Sequence, residues 1–430
     1  MARRLYTLVF TLALPLVLAR LWWRGRKAPA YRQRVKERLG FIPAPEFSAK
    51  PVWIHAVSVG ETLAIAPLVQ RLLESYPQRP VLITTMTPTG AERVQALFGE
   101  RVTHRYCPWD LPWFWARFLE RSKPLLCVVV ETELWPNMLH SCAGRDIPVL
   151  LANARMSARS ARGYARFAAL TRPMLEQLTL VAAQSHADGE RLHQLGLPSD
   201  RLKITGSIKF DIEPDPADIG AGAALRVQLG DTRPVLIAAS THEGEDELLL
   251  RVWKALCLDW PSLALILVPR HPERFASVAA LARRYSDRVC RRSAAETPSL
   301  ETEIYIGDTL GELMQIYAAA DIAFVGGSFS GTGGHNPLEP AALGKPVLMG
   351  PDTFNFAQIT QALSDAGGLV QVADEVGLLR TLRELVGNAE RCAAMAQAAR
   401  RFVADNRGAL DRLQQLVEGE LSAAERNQRL

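Results

Sequence analysis

Residues 321–351, DIAFVGGSFSGTGGHNPLEPAALGKPVLMGP, decide how this chain is read. The apolar run 322–325 has the character of a short buried strand. Gly326-Gly327 end it and a Gly/Ser loop runs on to Gly334. Asn336-Pro337 then read as an N-cap with Pro at the first helical position. Residues 338–343 read as a short helix closed by Gly344, and 347–349 as the next strand. In such a strand–loop–helix unit the backbone N–H groups of the loop and the helix start are expected to converge on a phosphate. Glu339, one turn into the helix, is placed to accept hydrogen bonds from a ribose. The same glycines also suit a plain turn, and the loop matches neither the P-loop nor a full G-x-G-x-x-G.

Outward from this unit the same alternation continues. Strands read at 235–239, 263–268, 303–306 and 369–372, with amphipathic helical stretches between them. Before a segment at 213–232, whose Glu213-Pro-Asp-Pro-Ala-Asp opening marks a linker, an earlier run reads at 52–59, 81–85, 125–130, 149–152, 180–183 and 202–205. Two runs of this kind imply an α/β protein with two doubly wound, Rossmann-like domains, 28–212 and 233–430, each built on a parallel sheet. The second is expected to carry terminal helical sequence from 376 to about 421. Ligands of such sheets lie beyond the carboxyl ends of the strands, so the facing loops are expected to line a cleft.

The length of 430 residues accommodates two domains, and 48% hydrophobic with 22% charged residues describes a globular chain with a full core. Net charge is +5, but eight basic residues against Glu37 alone between Arg20 and Arg38 give +7 there, leaving −2 elsewhere. One basic collar therefore holds the excess, which argues against a nucleic-acid binder. Six cysteines without a CxxC pair suggest neither a disulfide framework nor a zinc site. The apolar run 5–19, extended by Trp22 and Trp23, reads as an uncleaved N-terminal membrane anchor within 1–27. A signal peptide cleaved after Ala28-Pro29-Ala30 competes, but Arg20, Arg24, Arg26 and Lys27 lie between the apolar run and that site. A helix lying in the membrane interface is the third reading. The charge following the helix places the bulk of the chain on the cytoplasmic side and suits anionic headgroups. Because the alternation begins only at Val52, removing residues 1–23 is expected to leave a folded body.

The strand ends are polar. Ser58-Val59-Gly60-Glu61 sets a carboxylate at a helix N-terminus, where the dipole is expected to keep it ionised. Glu131-Thr132-Glu133 follows an apolar strand, and Gly206 to Asp211 carries Lys209. In the second half Ser240 to Glu245, Pro269-Arg270-His271-Pro272 and Gly307 to Glu312 hold corresponding places. Each has a bland reading as cap, turn or solvated charge; their convergence by topology favours a site. An arginine, a glycine loop and a helix-borne glutamate suit a nucleotide, while carboxylates and a lysine suit proton transfer beside an anion. Neither H-E-x-x-H nor D-x-D occurs, which weighs against a metal-dependent sugar transferase.

Taken together, the anchor with its basic flank, 55–61 (HAVSVGE), 131–137 (ETELWPN), 206–211, 269–272 (PRHP), 307–312 and 333–340 (GGHNPLEP) resemble the 3-deoxy-D-manno-octulosonic acid (Kdo) transferase family over essentially the whole chain. The resemblance implies a GT-B fold and an inverting, metal-independent transfer of Kdo from CMP-Kdo to lipid IVA, a lipid A precursor, in lipopolysaccharide assembly at the bacterial inner membrane. It implies Glu61 as general base, with Glu131 and Lys209 supporting the transition state. Pro269, Arg270, Leu310, Gly311, Glu312, Asn336, Pro337, Leu338 and Glu339 are implied CMP contacts, with no cofactor or metal. From the residues alone, Glu131 and Glu133 remain rivals of Glu61. Another GT-B nucleotide-sugar enzyme, such as an epimerase, and a membrane-anchored binding protein are the competing functions.

Overall fold

Both faces of the expected strands are apolar, as a parallel sheet covered by helices on each side requires. The computed structural model describes residues 1–43, 47 and 49–429. It divides into two units, Met1–Asp211 with Gly408–Leu430, and Ile212–Arg407. In the first unit β1 (Val52–His55), β2 (Val81–Thr85), β3 (Thr103–Tyr106), β4 (Leu126–Val130), β5 (Val149–Ala154), β6 (Leu180–Ala183) and β7 (Leu202–Ile204) form one sheet, ordered β3-β2-β1-β4-β5-β6-β7. Every pair is parallel. Ile54, Val128 and Val130 pack on one face, and Trp53, Cys127 and Val129 on the other.

The second unit repeats the design. Here β8 (Val235–Thr241), β9 (Ala264–Pro269), β10 (Val289–Arg291), β11 (Ile304–Ile306), β12 (Ile322–Val325), β13 (Val347–Met349) and β14 (Leu369–Gln371) lie in the order β10-β11-β9-β8-β12-β13-β14, again all parallel. The strand order reverses at β1/β4 in the first sheet and at β8/β12 in the second, which opens a crevice beyond the carboxyl ends there; the second sheet also doubles back at its edge, where β11 lies between β10 and β9. The expected α/β architecture is present, with two strands added to the reading. Both additions, β3 and β10, are edge strands, and the half-exposed Thr-His-Arg-Tyr of β3 lacks an apolar run.

Three boundaries differ from the sequence reading. The segment taken as a linker contains a helix, Pro216–Leu229, capped by Asp215, whose carboxylate accepts from Ala217 N. It belongs to the second unit, where Arg226 pairs with Asp321 at 2.8 Å. It sits so close to the helix Leu313–Ala318 that a Cβ on Gly222 would lie 2.4 Å from the Ala318 Cβ. The terminal helical sequence is three helices, Glu375–Gly387, Ala389–Asp405 and Ala409–Arg429. The last of them belongs to the first unit: Leu410, Leu413, Val417 and Leu421 recur at helical spacing and cover the core above β1 and β4. Asp211 fixes its start, accepting from Gly408 N at 2.6 Å and Leu410 N at 2.7 Å.

The N-terminal helix, Ala2–Lys27, is long and apolar enough to cross a membrane. It is more than a tether. Phe10, Leu14, Val17 and Leu21 form one stripe that packs on Trp109, Leu111 and Phe114. Arg3 and Thr7 donate to Asn137 Oδ1, at 2.9 and 3.1 Å. Leu5, Leu8, Val9, Leu12 and Leu16 remain exposed on the other side. Removing the helix would therefore uncover three aromatic or aliphatic core residues, contrary to the expectation of a freely dispensable anchor. The basic collar is also partly structural. Arg32 stacks over Trp22 at 4.1 Å, and Arg38 lies buried over Tyr106 at 4.2 Å.

Candidate functional site

The sequence Ser58-x-x-Glu61 has the spacing of a capping box, and it folds as a variant of one in which the backbone donor to Glu61 comes from Val57, one residue before the cap. Ser58 is the N-cap of the helix Val59–Ser75. Its Oγ accepts from Glu61 N at 3.2 Å and donates to Glu61 Oε1 at 2.8 Å, while Val57 N donates to Oε2 at 2.8 Å. These bonds favour the carboxylate, yet Glu61 is only 8% exposed. Burial outweighs them and, with smaller repulsion from Glu133 and Glu131, lifts the carboxyl to about 7. The expectation that the helix dipole keeps this group firmly ionised is thereby corrected. It sits poised between its two protonation states near neutral pH.

At the end of the adjacent strand β4, Glu131 adopts φ 60, the left-handed region, and its N–H is held by Ala152 O at 2.9 Å. A non-glycine residue there stores strain of about 1–3 kcal/mol. The turn aims the Glu131 carboxylate at Lys209, whose Nζ lies 3.5 Å from Oε1 with both side chains about one-third exposed. Lys209 sits on the 3-10 turn Ile208–Phe210, which packs against the helix that carries Glu61. Glu133 instead accepts from Trp135 Nε1 at 2.8 Å, and burial raises its carboxyl. Trp135 in turn meets His55 edge-on at 5.4 Å, where burial lowers the imidazole to about 3 and keeps it neutral.

Sequence reasoning missed Asn153. It too has φ 53, at the irregularity between Leu151 and Ala154 in the β5–β6 register. Its Oδ1 accepts from Ile208 N at 3.3 Å, which ties the lysine turn to β5. An asparagine inside an otherwise apolar strand was the available signal. Also missed were Arg155, Arg159, Arg162, Arg166 and Arg172, with no acidic residue between Asp146 and Glu176. All five are exposed.

In the second unit the glycine loop behaves differently from the phosphate cradle expected. Gly327, Ser328 and Phe329 all donate their N–H groups to the buried Glu245 carboxylate, at 2.7, 3.0 and 2.8 Å. His242 N makes a further bond to it at 2.8 Å. The nest that would suit an anion is thus filled by the protein's own carboxylate. Gly326 is required for another reason: a Cβ there would lie 2.5 Å from Ser240 O. The following helix is Leu338–Ala342, five residues capped at Pro337. That is too short for the helix-end phosphate site expected, although Asn336 Oδ1 does accept from Leu338 N at 3.1 Å.

Around that loop the remaining groups gather. Asn336 Nδ2 donates to Glu339 Oε1 at 3.2 Å. Burial raises Glu339, against smaller lowering effects of Asn336 and the Arg270 guanidinium. Arg270 follows Pro269 at the end of β9, and its N–H donates to Thr241 O at 3.1 Å. Nε2 of His335 lies 2.8 Å from Nε2 of His242, and burial with Arg270 holds His335 down to about 4. Glu312 is already committed: Arg292 grips it at 3.0 and 2.7 Å, pulling it down to about 2. Beside it Leu310 is exposed and Gly311 turns the chain at φ 86.

Two units, each a doubly wound parallel sheet, place the chain in the GT-B fold class. The crystal structure of UDP-GlcNAc 2-epimerase from Neisseria meningitidis shares this fold, with a TM-score of 0.56 over 87% of this chain and 100% of that one, at 15% identity. Sequence narrows the class. The model of the 3-deoxy-D-manno-octulosonic-acid transferase (kdotransferase) family matches residues 33–212. The 3-deoxy-D-manno-octulosonic acid transferase of Haemophilus influenzae is 43% identical across 97% of this chain and 98% of its own length. That of Bordetella pertussis is 38% identical across 97% and 99%. The chain belongs to the 3-deoxy-D-manno-octulosonic acid transferase family, and its activity is Kdo transfer.

Proposed function

We propose that the protein moves Kdo from CMP-Kdo to lipid IVA, with inversion and without a metal, at the cytoplasmic face of a bacterial inner membrane. A sugar hydroxyl is a poor nucleophile at neutral pH and needs a base as the new bond forms. Glu61 is that base. The observation that carries this reading is its buried carboxyl, lifted to about 7 beside the Glu131–Lys209 pair. A base poised near the working pH combines a usable ionised fraction with proton affinity.

Lys209 provides a fixed cation for the Kdo carboxylate or the departing phosphate, and Glu131 orients it. In the second unit Arg270 faces the phosphate of CMP, and Glu339, oriented by Asn336, accepts from the ribose hydroxyls. Pro269, Pro337 and Leu338 shape the pocket backbone, and the Leu310-Gly311-Glu312 turn, braced by Arg292, closes it. The absence of a D-x-D motif supports metal independence, since Lys209 takes the charge-balancing role. The helix Ala2–Lys27 anchors the chain in the membrane, with anionic lipid at its basic end.

An epimerase reading draws on fold alone, which does not carry activity. Incubation with CMP-Kdo and lipid IVA, followed by mass spectrometry of the lipid, tests the proposal. A lipid heavier by one or more Kdo residues, formed equally with EDTA present, is the expected result. Rearranged CMP-Kdo with an unmodified lipid would overturn it, and loss of transfer with EDTA would overturn metal independence.

A further inference from the structure

Within the first unit an apolar groove of about 850 Å³ runs between the N-terminal helix and the helix Ala168–Leu175. Leu5 and Val9 form one wall, Leu170 and Met174 the other. Its floor includes Leu134, which directly follows Glu133, and Pro136, so the groove reaches the loop that carries the site's carboxylates. Exposed Phe167 and Arg166 stand at its rim. Arg159 and Arg162 flank the lining residues Ser160 and Gly163 on the helix Ala158–Ala165, and among the described residues Arg159, Arg162 and Arg166 make no salt bridge.

We propose that this groove holds one acyl chain of the lipid acceptor, with the neighbouring arginines gripping the acceptor's phosphate; the inference rests on the lipid-acceptor reading above. A concave apolar slot of this size suits a ligand rather than a bilayer face. Unpaired guanidinium groups beside it match a phosphorylated amphiphile, because their fork geometry bonds phosphate in bidentate fashion. The floor at Leu134 and Pro136 would bring the sugar head beside Glu133 and Glu131. The docked N-terminal helix is then a wall of the substrate site as well as an anchor.

Ala169→Trp and Val9→Trp fill the slot from opposite walls at positions that are exposed in the fold. The full chain is assayed with CMP-Kdo on the acylated precursor in detergent micelles and on its fully deacylated, water-soluble form. The ratio of kcat/KM, acylated over deacylated, is expected to fall at least tenfold in both variants, since each buried methylene is worth about fourfold in affinity. An unchanged ratio overturns the slot. A fluorescent monoalkyl phosphate reads binding directly. Its affinity is expected to fall in both tryptophan variants, and in Arg159→Gln/Arg162→Gln to fall and lose salt dependence. Vesicles of phosphatidylethanolamine and phosphatidylglycerol should still bind both tryptophan variants. If vesicle binding falls in step with the ratio, the groove is a bulk-membrane contact and the inference fails. If the wild-type protein transfers Kdo to neither acceptor, the proposed function fails separately. The alkyl phosphate then decides the slot alone: lost binding in both tryptophan variants supports it, and unaffected binding overturns it.

Discussion

The carboxyl ends of the two sheets carry similar residue types and use them in opposite ways. In the first sheet Glu61 is buried without a cation at its carboxylate, and its carboxyl is lifted to about 7. Glu131 is strained, and Lys209 stands 3.5 Å away in a loose, half-open pair. In the second sheet the comparable carboxylates are consumed. Glu245 takes three loop N–H groups, and Glu312 is gripped by Arg292. The first arrangement keeps groups available to change charge, as proton transfer requires. The second spends its charges on rigid loops, as a binding site requires.

This contrast is sharpest at Glu61. Glu61→Gln is expected to fold, to bind CMP normally, and to turn over about 10²–10⁴-fold more slowly. Wild-type-like turnover would move the base to Glu131 or Glu133. Next in size, Lys209→Ala and Glu131→Ala should each lower kcat roughly 10²-fold while leaving CMP affinity in calorimetry nearly unmoved. If either changes CMP affinity more than kcat, the roles of the two units are not divided as described.

On the other side of the comparison, Glu245→Gln should act on stability. It places an amide against backbone donors and leaves at least one N–H unmet, at a cost of about 1–3 kcal/mol in denaturant unfolding. Unchanged stability would mean that the loop does not depend on this carboxylate. The smallest effect is expected at Glu312. Its carboxyl is depressed, so its stabilisation is present above the ordinary value of 4.5 and lost as pH falls toward about 2. Arg292→Gln should remove that acid-sensitive component, at most ~1 kcal/mol for so exposed a pair. The check is the difference in melting temperature between neutral and acid pH.

The interior strands were legible because a strand buried on both faces must be apolar throughout, as in β4 and β12. β3, Thr-His-Arg-Tyr, and β10, three residues ending in Arg291, escaped because neither shows an apolar run. The Ser58-Val59-Gly60-Glu61 turn is local, four residues in all, and so the place of its carboxylate at a helix N-terminus was visible. What could not be read were partnerships closed by the fold. Glu245 meets its loop 82–84 positions away, and the helix Ala409–Arg429 returns to pair Asp411 with Arg71, 340 positions back. The glycine loop misled for the same reason: its donors were correctly found, but their acceptor lies on another element.

The account turns on Glu61 titrating near neutrality as the base. Measuring kcat/KM from about pH 5 to 9, which reports groups of the free enzyme, addresses it directly. A base works ionised, so activity should fall about tenfold per pH unit on the acid side and level off above about 7, where the buried carboxyl has lost its proton. In Glu61→Gln the residual activity should show no such limb. A limb of the same position and slope in Glu61→Gln, or a flat wild-type profile through neutrality, would contradict the assignment.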